Sequence, residues 1–188
     1  MFYKTEKLAV LIDGQSFYGA AKSLGIETDF KKLRTYFQER GHMIALKYYT
    51  MVRDEEESGL IPVLDFMSYN GYTVHSKFYK EFETDGRVYT KGSIAVDLAL
   101  DMVDLSKNVD HIMLFTGSGD LVPAVLRAQS NGCRVTIGST LQNGSMLSDE
   151  LRRVSNNFIE MNALAPHIQR EIASAPTKEV SRRKLQDA

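Results

Sequence analysis

Two apolar runs in this sequence end in turns that carry an aspartate, Leu11-Ile12-Asp13-Gly14-Gln15-Ser16 and Phe115-Thr116-Gly117-Ser118-Gly119-Asp120. Glycine in each turn allows a tight bend and a close approach of ligand to backbone. If the two strands are neighbours, the carboxylates of Asp13 and Asp120 converge, and a cation is needed to offset their repulsion. Hard oxygen donors favour Mg²⁺ or Mn²⁺. Such an ion activates water and stabilises a phosphoryl oxygen, the chemistry of metal-assisted phosphodiester hydrolysis. The plainer use of both aspartates is as helix caps, and residue type alone leaves the two uses open.

A third acidic set is Asp97, Asp101 and Asp104, whose spacings of four and three place them on one helical stripe. The stripe reads as the solvated face of an amphipathic helix, which suits Asp104 best. Asp97 falls in the first turn, where the helix dipole favours a carboxylate and where it can face the strand ends. Asp101 lies a turn deeper and is the weaker ligand candidate. Lys77, Lys80, Arg87 and Lys91 alternate with Phe78, Tyr79 and Tyr89. Basic and aromatic side chains in that mixture track phosphates and stack on single-stranded bases, although a solvated hairpin explains them equally well. His42, His75, His111 and His167 show no metal-ligand spacing, and Cys133 reads as a small buried residue.

The elements that must position these residues follow from the apolar pattern. Leu8 to Ile12 is an unbroken apolar run, as expected of a strand buried on both faces. Asp29 caps a helix with apolar positions Phe30, Leu33, Tyr36 and Phe37, and His42 to Val52 reads as the second strand. A charged loop from Arg53 to Ser58 leads to a helix through Leu60, Val63, Leu64 and Met67. Tyr72 to Phe82 is β-rich, and Thr84-Asp85-Gly86-Arg87 is a hairpin turn. The helical period returns from Ala95 to Leu105, with Val96, Ala99, Leu100 and Val103 predicted on the apolar face. His111 to Thr116 is a strand, and a helix with Val122, Val125 and Leu126 follows. Arg134 to Ile137 reads as the last strand, and Ser148 to Ile172 reads as helical. Strands alternating with helices predict an α/β domain with a mostly parallel sheet. Short crossovers would set the carboxyl ends of its strands along one edge.

Composition narrows the class. The 188 residues suit one large or two small domains, and 43% hydrophobic with 25% charged residues is ordinary for a globular chain. That excludes a largely disordered chain, a collagen-like fibre and a disulfide scaffold. With 23 Lys+Arg against 24 Asp+Glu, the net charge of -1 gives no global basic field. Nucleic-acid binding would therefore rest on a local patch. One cysteine fits a reducing compartment. No run approaches the roughly 20 apolar residues of a membrane span, and the start lacks a secretory pattern. A cytoplasmic protein without membrane contact is expected. The domain is expected over 1–172, with a flexible polar tail over 173–188.

Five motifs in order carry a resemblance: Leu-Ile-Asp-Gly-Gln-Ser (11–16), Tyr-Asn-Gly-Tyr-Thr (69–73), Lys-Gly-Ser-Ile-Ala-Val-Asp-Leu-Ala-Leu-Asp (91–101), Phe-Thr-Gly-Ser-Gly-Asp (115–120) and Asp-Glu-Leu-Arg-Arg (149–153). Over about residues 6–165 the chain resembles the NYN domain, LabA-like branch, of the PIN-like nuclease superfamily. The resemblance implies a three-layer α/β/α sandwich with a central mostly parallel sheet. It also implies aspartates that bind Mg²⁺ or Mn²⁺ for RNA cleavage. Asp13 matches the family's first-strand aspartate, and Asp120 matches the second aspartate of its Ser-Gly-Asp-x-Asp-Phe motif. Asp97 falls where the family often has an acid. Two acidic positions are altered, since Ala95 and Ser118 stand where the family usually has aspartate. Ser16 replaces a common asparagine.

The leading expectation is a metal-dependent ribonuclease scaffold weakened or silenced by Ala95. Asp13, Asp97 and Asp120 are its expected catalytic and metal-binding residues, Ser16 and Lys91 its substrate contacts, and single-stranded RNA its partner. The alternative is a non-catalytic module that binds RNA or protein. A phosphatase is the weakest reading, because Asp13-Gly14-Gln15 lacks a second aspartate two residues on. Phe158, Ile159, Met161, Leu164 and Ile168 admit packing on the same domain or a homodimer seam.

Overall fold

The computed structural model describes residues 2–52, 59–84, 87–91, 93–142 and 147–171, with the backbone alone at 80–84 and 87–91. The first apolar run forms strand β1 (Lys7–Asp13), and Leu8 to Ile12 are all essentially inaccessible. Burial on both faces puts β1 at the centre of the sheet. Its neighbours are β2 (His42–Val52) and β6 (His111–Phe115), both parallel to it. Beyond β2 lies β3 (Thr73–Phe78), and beyond β6 lie β7 (Arg134–Ser139) and β8 (Asn157–Glu160). The order is β3-β2-β1-β6-β7-β8, every pairing parallel. A separate antiparallel ribbon pairs β4 (Lys80–Thr84) with β5 (Arg87–Lys91), as the hairpin reading expects. Residues 85–86 at its turn lie outside the described residues.

Alternation along the strands divides the core in two. Leu8, Val10 and Ile12 face α1 (Gly14–Ser23), α2 (Phe30–Gln38), α3 (Ile61–Tyr69) and α7 (Met161–Ile168). Ala9 and Leu11 face α4 (Ala95–Leu105), α5 (Val122–Ser130) and α6 (Asp149–Val154). The result is the expected three-layer α/β/α sandwich. Each fully buried large side chain contributes about 1.5–3 kcal/mol, so the strand-helix layers carry most of the stabilisation.

Helix starts match the local chemistry. The Asp29 carboxylate accepts from the backbone N–H groups of Lys31 and Lys32, and α2 begins at the next residue. The α3 and α5 helices instead carry proline in their first turns, where its missing N–H costs nothing. Gly71 and Gly132 follow these two helices at φ +84° and +86°. Only glycine takes that left-handed conformation without strain.

Four expectations need correction. The segment Ser148 to Ile172 is not one helix: α6, β8 and α7 divide its described part, and β8 rather than β7 is the last strand. Asn156 explains the break. Its side chain accepts from the Val135 N–H at 2.7 Å and its own N–H donates to the Val135 carbonyl, so 157–160 begins as an added strand. Met161, Leu164 and Ile168 are buried in the first core, with Ile159 partly buried against it and Phe158 against the second.

The apolar face of α4 is also rotated from the expected one. Val96 and Leu100 are more than 60% exposed, whereas Leu98 and Met102 are fully buried. Positions 95, 98, 99 and 102 have the same helical spacing as the expected stripe, and packing selects them. Leu126 of α5 is likewise half exposed. The expected charged loop at 53–58 and polar tail at 173–188 lie outside the described residues. No helix among the described residues is long and apolar enough to cross a membrane.

Candidate functional site at the carboxyl edge of the sheet

The strand order reverses between β1 and β6. From β1 the chain builds outward through β2 and β3, then returns to β6 on the other side and builds outward again. Crossovers leave in opposite directions there, which opens a crevice at the carboxyl ends where ligands bind in open α/β sheets. Ile12 pairs with Phe115, so Asp13 and Thr116 leave the two strands side by side. This adjacency meets the condition set for Asp13 and Asp120, that their strands be neighbours.

A hydrogen-bonded chain joins the two strand ends. Thr116 Oγ1 donates to Asp13 Oδ2 at 2.9 Å and accepts from the Ser118 N–H at 3.2 Å. Ser16 Oγ donates to the same Asp13 oxygen at 2.6 Å, and the Ser16 N–H reaches Asp13 Oδ1 at 3.4 Å. Asp13 therefore caps α1, and in doing so its carboxylate is fixed between two hydroxyl groups. Ser118 caps the single 3-10 turn Gly119–Leu121, its Oγ accepting from the Asp120 N–H at 3.2 Å. The Asp120 carboxylate is exposed and has no hydrogen-bond or ion-pair partner among the described residues.

The turn is braced from behind by Ser148. Its N–H donates to the Gly117 carbonyl at 2.9 Å, and its Oγ sits 2.9 Å from where a Cβ on Gly119 would stand. Glycine at 119 is thus a requirement of close approach. The Ser148 Oγ also accepts from the Leu151 N–H, which starts α6.

The acidic stripe of α4 faces β2 and β3. Asp97 forms an ion pair with Lys77 of β3. Asp101 accepts from Lys47 Nζ at 2.8 Å and from the Tyr49 hydroxyl at 2.7 Å, with His75 Nε2 at 3.5 Å. Burial pushes the Asp101 carboxyl up, but the hydrogen bonds from Lys47 and Tyr49 and the charges of Lys47 and His75 outweigh it and hold it below its ordinary value. Burial first, then the hydrogen bond to Asp101, drives the Tyr49 phenol upward. Asp101 is therefore the most engaged carboxylate of the helix, and its partners consume it structurally. Asp104 is exposed and paired with Lys107, as expected of a solvated face.

Ala95 stands at the first position of α4, its N–H donating to Ser93 Oγ at 3.2 Å. Lys91 ends β5, and its side chain lies outside the described residues. Among the described residues no group of three or more His, Cys, Asp or Glu side chains is placed to hold a metal ion. Mg²⁺ or Mn²⁺, which the family resemblance implies, needs several hard oxygen anions. Here Ala95 offers none, Ser118 offers a capping hydroxyl, and Asp97 is neutralised by Lys77. The donor set does not fit a divalent centre as it stands.

Sequence reasoning singled out Asp13, Asp97 and Asp120 but not Thr116 as the partner of Asp13, Lys77 as the partner of Asp97, or Ser148 as the brace of the turn. Thr116 was legible as part of the turn, because a hydroxyl at a strand end often bonds to a neighbouring backbone or cap. Lys77 and Ser148 come from distant segments, and no local signal links them to the site.

An all-parallel central sheet with helices on both faces and Asp13 at its switch point defines an open α/β sandwich. The NYN domain model matches residues 7–162, most of the chain, and the chain belongs to the NYN domain family. It is 27% identical over 176 residues to the low amplitude and bright protein LabA of Synechococcus elongatus, covering 90% of this chain and 91% of that protein. Among solved structures it is similar to VPA0982 of Vibrio parahaemolyticus, a protein of unknown function. The TM-score is 0.69 at 23% identity, covering 84% of this chain and 93% of the other. That likeness bears on the fold alone.

Proposed function

We infer that this chain is a ribonuclease-type NYN domain that engages single-stranded RNA at the carboxyl edge of its sheet, with hydrolysis impaired by the loss of acidic ligands. The observation that carries the reading is the linked strand edge, Ser16–Asp13–Thr116–Ser118, with Asp120 free beside it and Ala95 at the start of α4. Family membership supplies the nuclease-like background. Asp13, Asp97 and Asp120 are the acids that remain, and with Ala95 in place they fall short of the donor set that Mg²⁺ or Mn²⁺ needs. Basic side chains, Lys91 among them, position phosphates. The domain is read as 1–172 and its setting as cytoplasmic.

The test is cleavage of single-stranded RNA by this chain and by Ala95→Asp, each with Mn²⁺ and with EDTA. Mn²⁺-dependent cleavage confined to Ala95→Asp, or at least about tenfold faster there, is expected, since one well-placed catalytic interaction is worth that much or more. Cleavage by neither protein sinks the nuclease reading.

A second reading, a non-catalytic binding module, is favoured by the Lys77–Asp97 ion pair, which replaces a need for metal with an internal cation. It is distinguished by RNA or protein binding that persists in EDTA without cleavage in either protein.

A further inference from the structure

A cavity of about 480 Å³ opens between α1 and α3. Four aromatic side chains stand in its walls. Phe17 and Tyr18 come from α1, Phe30 from the start of α2, and Tyr48 from β2. Phe30 packs on Tyr48 with ring centroids 5.9 Å apart at 85°, so the cavity presents both ring faces and ring edges. Volumes from about 300 Å³ upward, apolar linings and a few convergent polar atoms are the marks of small-ligand sites.

Two hydroxyl groups of the lining have no hydrogen-bond partner among the described residues. Tyr48 lies in the lining, and its hydroxyl makes no hydrogen bond among the described residues. Thr28, also in the lining, has a buried Oγ1 with no partner among them. A buried polar group left unpaired costs about 1–3 kcal/mol, and a ligand heteroatom removes that cost. An aliphatic occupant would leave the Thr28 hydroxyl unpaired. Lys22 stands at the mouth with its Nζ over the Tyr18 ring, a cation where a phosphate would leave the cavity.

The cavity also adjoins the strand edge. A Cβ on Gly14 would lie 2.6 Å from the Tyr48 ring and hydroxyl, so the cavity wall is one residue from Asp13. Burial and the Asp13 charge raise the Tyr48 phenol to about 12, which keeps it protonated as a donor at neutral pH.

The geometry points to this cavity as a pocket for one unpaired nucleobase of an RNA strand whose backbone crosses the Asp13–Thr116 edge. The base stacks on the aromatic wall and accepts from the Tyr48 hydroxyl, while its phosphate meets Lys22. The proposal rests on the reading of the strand edge as an RNA site, and it assigns that site a base-binding function.

The chain has no tryptophan, so Tyr18→Trp introduces a single fluorophore at the pocket mouth. The experiment titrates this full-length variant with short oligoadenylate in EDTA, and with an abasic ribose-phosphate strand of equal length. Anisotropy of end-labelled strands measures binding independently. Quenching of tryptophan by oligoadenylate and not by the abasic strand is expected, with affinity falling about fivefold on adding Tyr48→Phe, the loss of one hydrogen bond. Equal affinity for the two strands without quenching overturns the pocket and leaves RNA binding standing. No binding of either strand by anisotropy overturns both the pocket and the RNA reading.

Discussion

Asp13 shows how one carboxylate serves structure before chemistry. It caps α1 through Ser16 and ties β1 to β6 through Thr116. Replacing it with alanine removes the cap and leaves the Thr116 hydroxyl without its acceptor. Loss of about 1–2 kcal/mol is expected for Asp13→Ala, and less than half of that for Asp13→Asn, since asparagine caps as well as aspartate. Urea denaturation of the three proteins checks this. Equal losses in both variants would mean that the negative charge, not the cap, stabilises this edge. Residue identity alone could place Asp13 at a strand-to-helix turn, and that much was legible. Its partner Thr116 lies 103 positions away, so the bond between them exists only once the two strands pair.

At the scale of elements, α4 separates two stripes that the sequence offers almost equally. The helix is apolar around most of its circumference, and its aspartates lie beside both stripes. Packing against β1 and α5 buries Leu98 and Met102 and turns Asp97 and Asp101 toward β2 and β3. Met102→Ala is therefore expected to cost about 2–5 kcal/mol, as other buried large-to-small changes do, and Leu100→Ala no more than about 0.5 kcal/mol. Thermal or chemical unfolding of the pair decides it, and the opposite order would restore the stripe read from sequence. The strand β8 was illegible for a related reason. Phe158 and Ile159 sit in a segment whose apolar spacing also fits a helix, and the bond from Asn156 to Val135 is a tertiary event.

Across the whole molecule, the end of the sheet opposite the candidate site is closed by a buried histidine. His111 is fully buried, with Nε2 2.8 Å from Thr136 Oγ1, and Glu6 and Arg134 face its Nδ1. Burial first, then the Arg134 charge, lowers it from 6.5 to about 4, while Glu6 opposes the shift. Folding therefore favours the neutral ring. Above about 6.5 the ring is neutral in both states and its contribution is complete. Between 6.5 and 4 the unfolded chain binds a proton that the fold refuses, so stability falls as pH falls. Denaturation midpoints at neutral and mildly acid pH should show a shallower acid loss for His111→Gln than for the parent chain. Parallel slopes would remove His111 from the account. The sequence by itself determined the α/β alternation, the central buried strand and the aspartate that ends it. These rest on local pattern, turn chemistry and motif order, which survive without knowledge of neighbours. Tertiary structure alone decided the strand order, the stripe that α4 buries, the Lys77 and Lys47 partners of its acids and the aromatic pocket beside Gly14. Each of these joins segments far apart in the chain, and only packing and strand pairing bring such segments into contact.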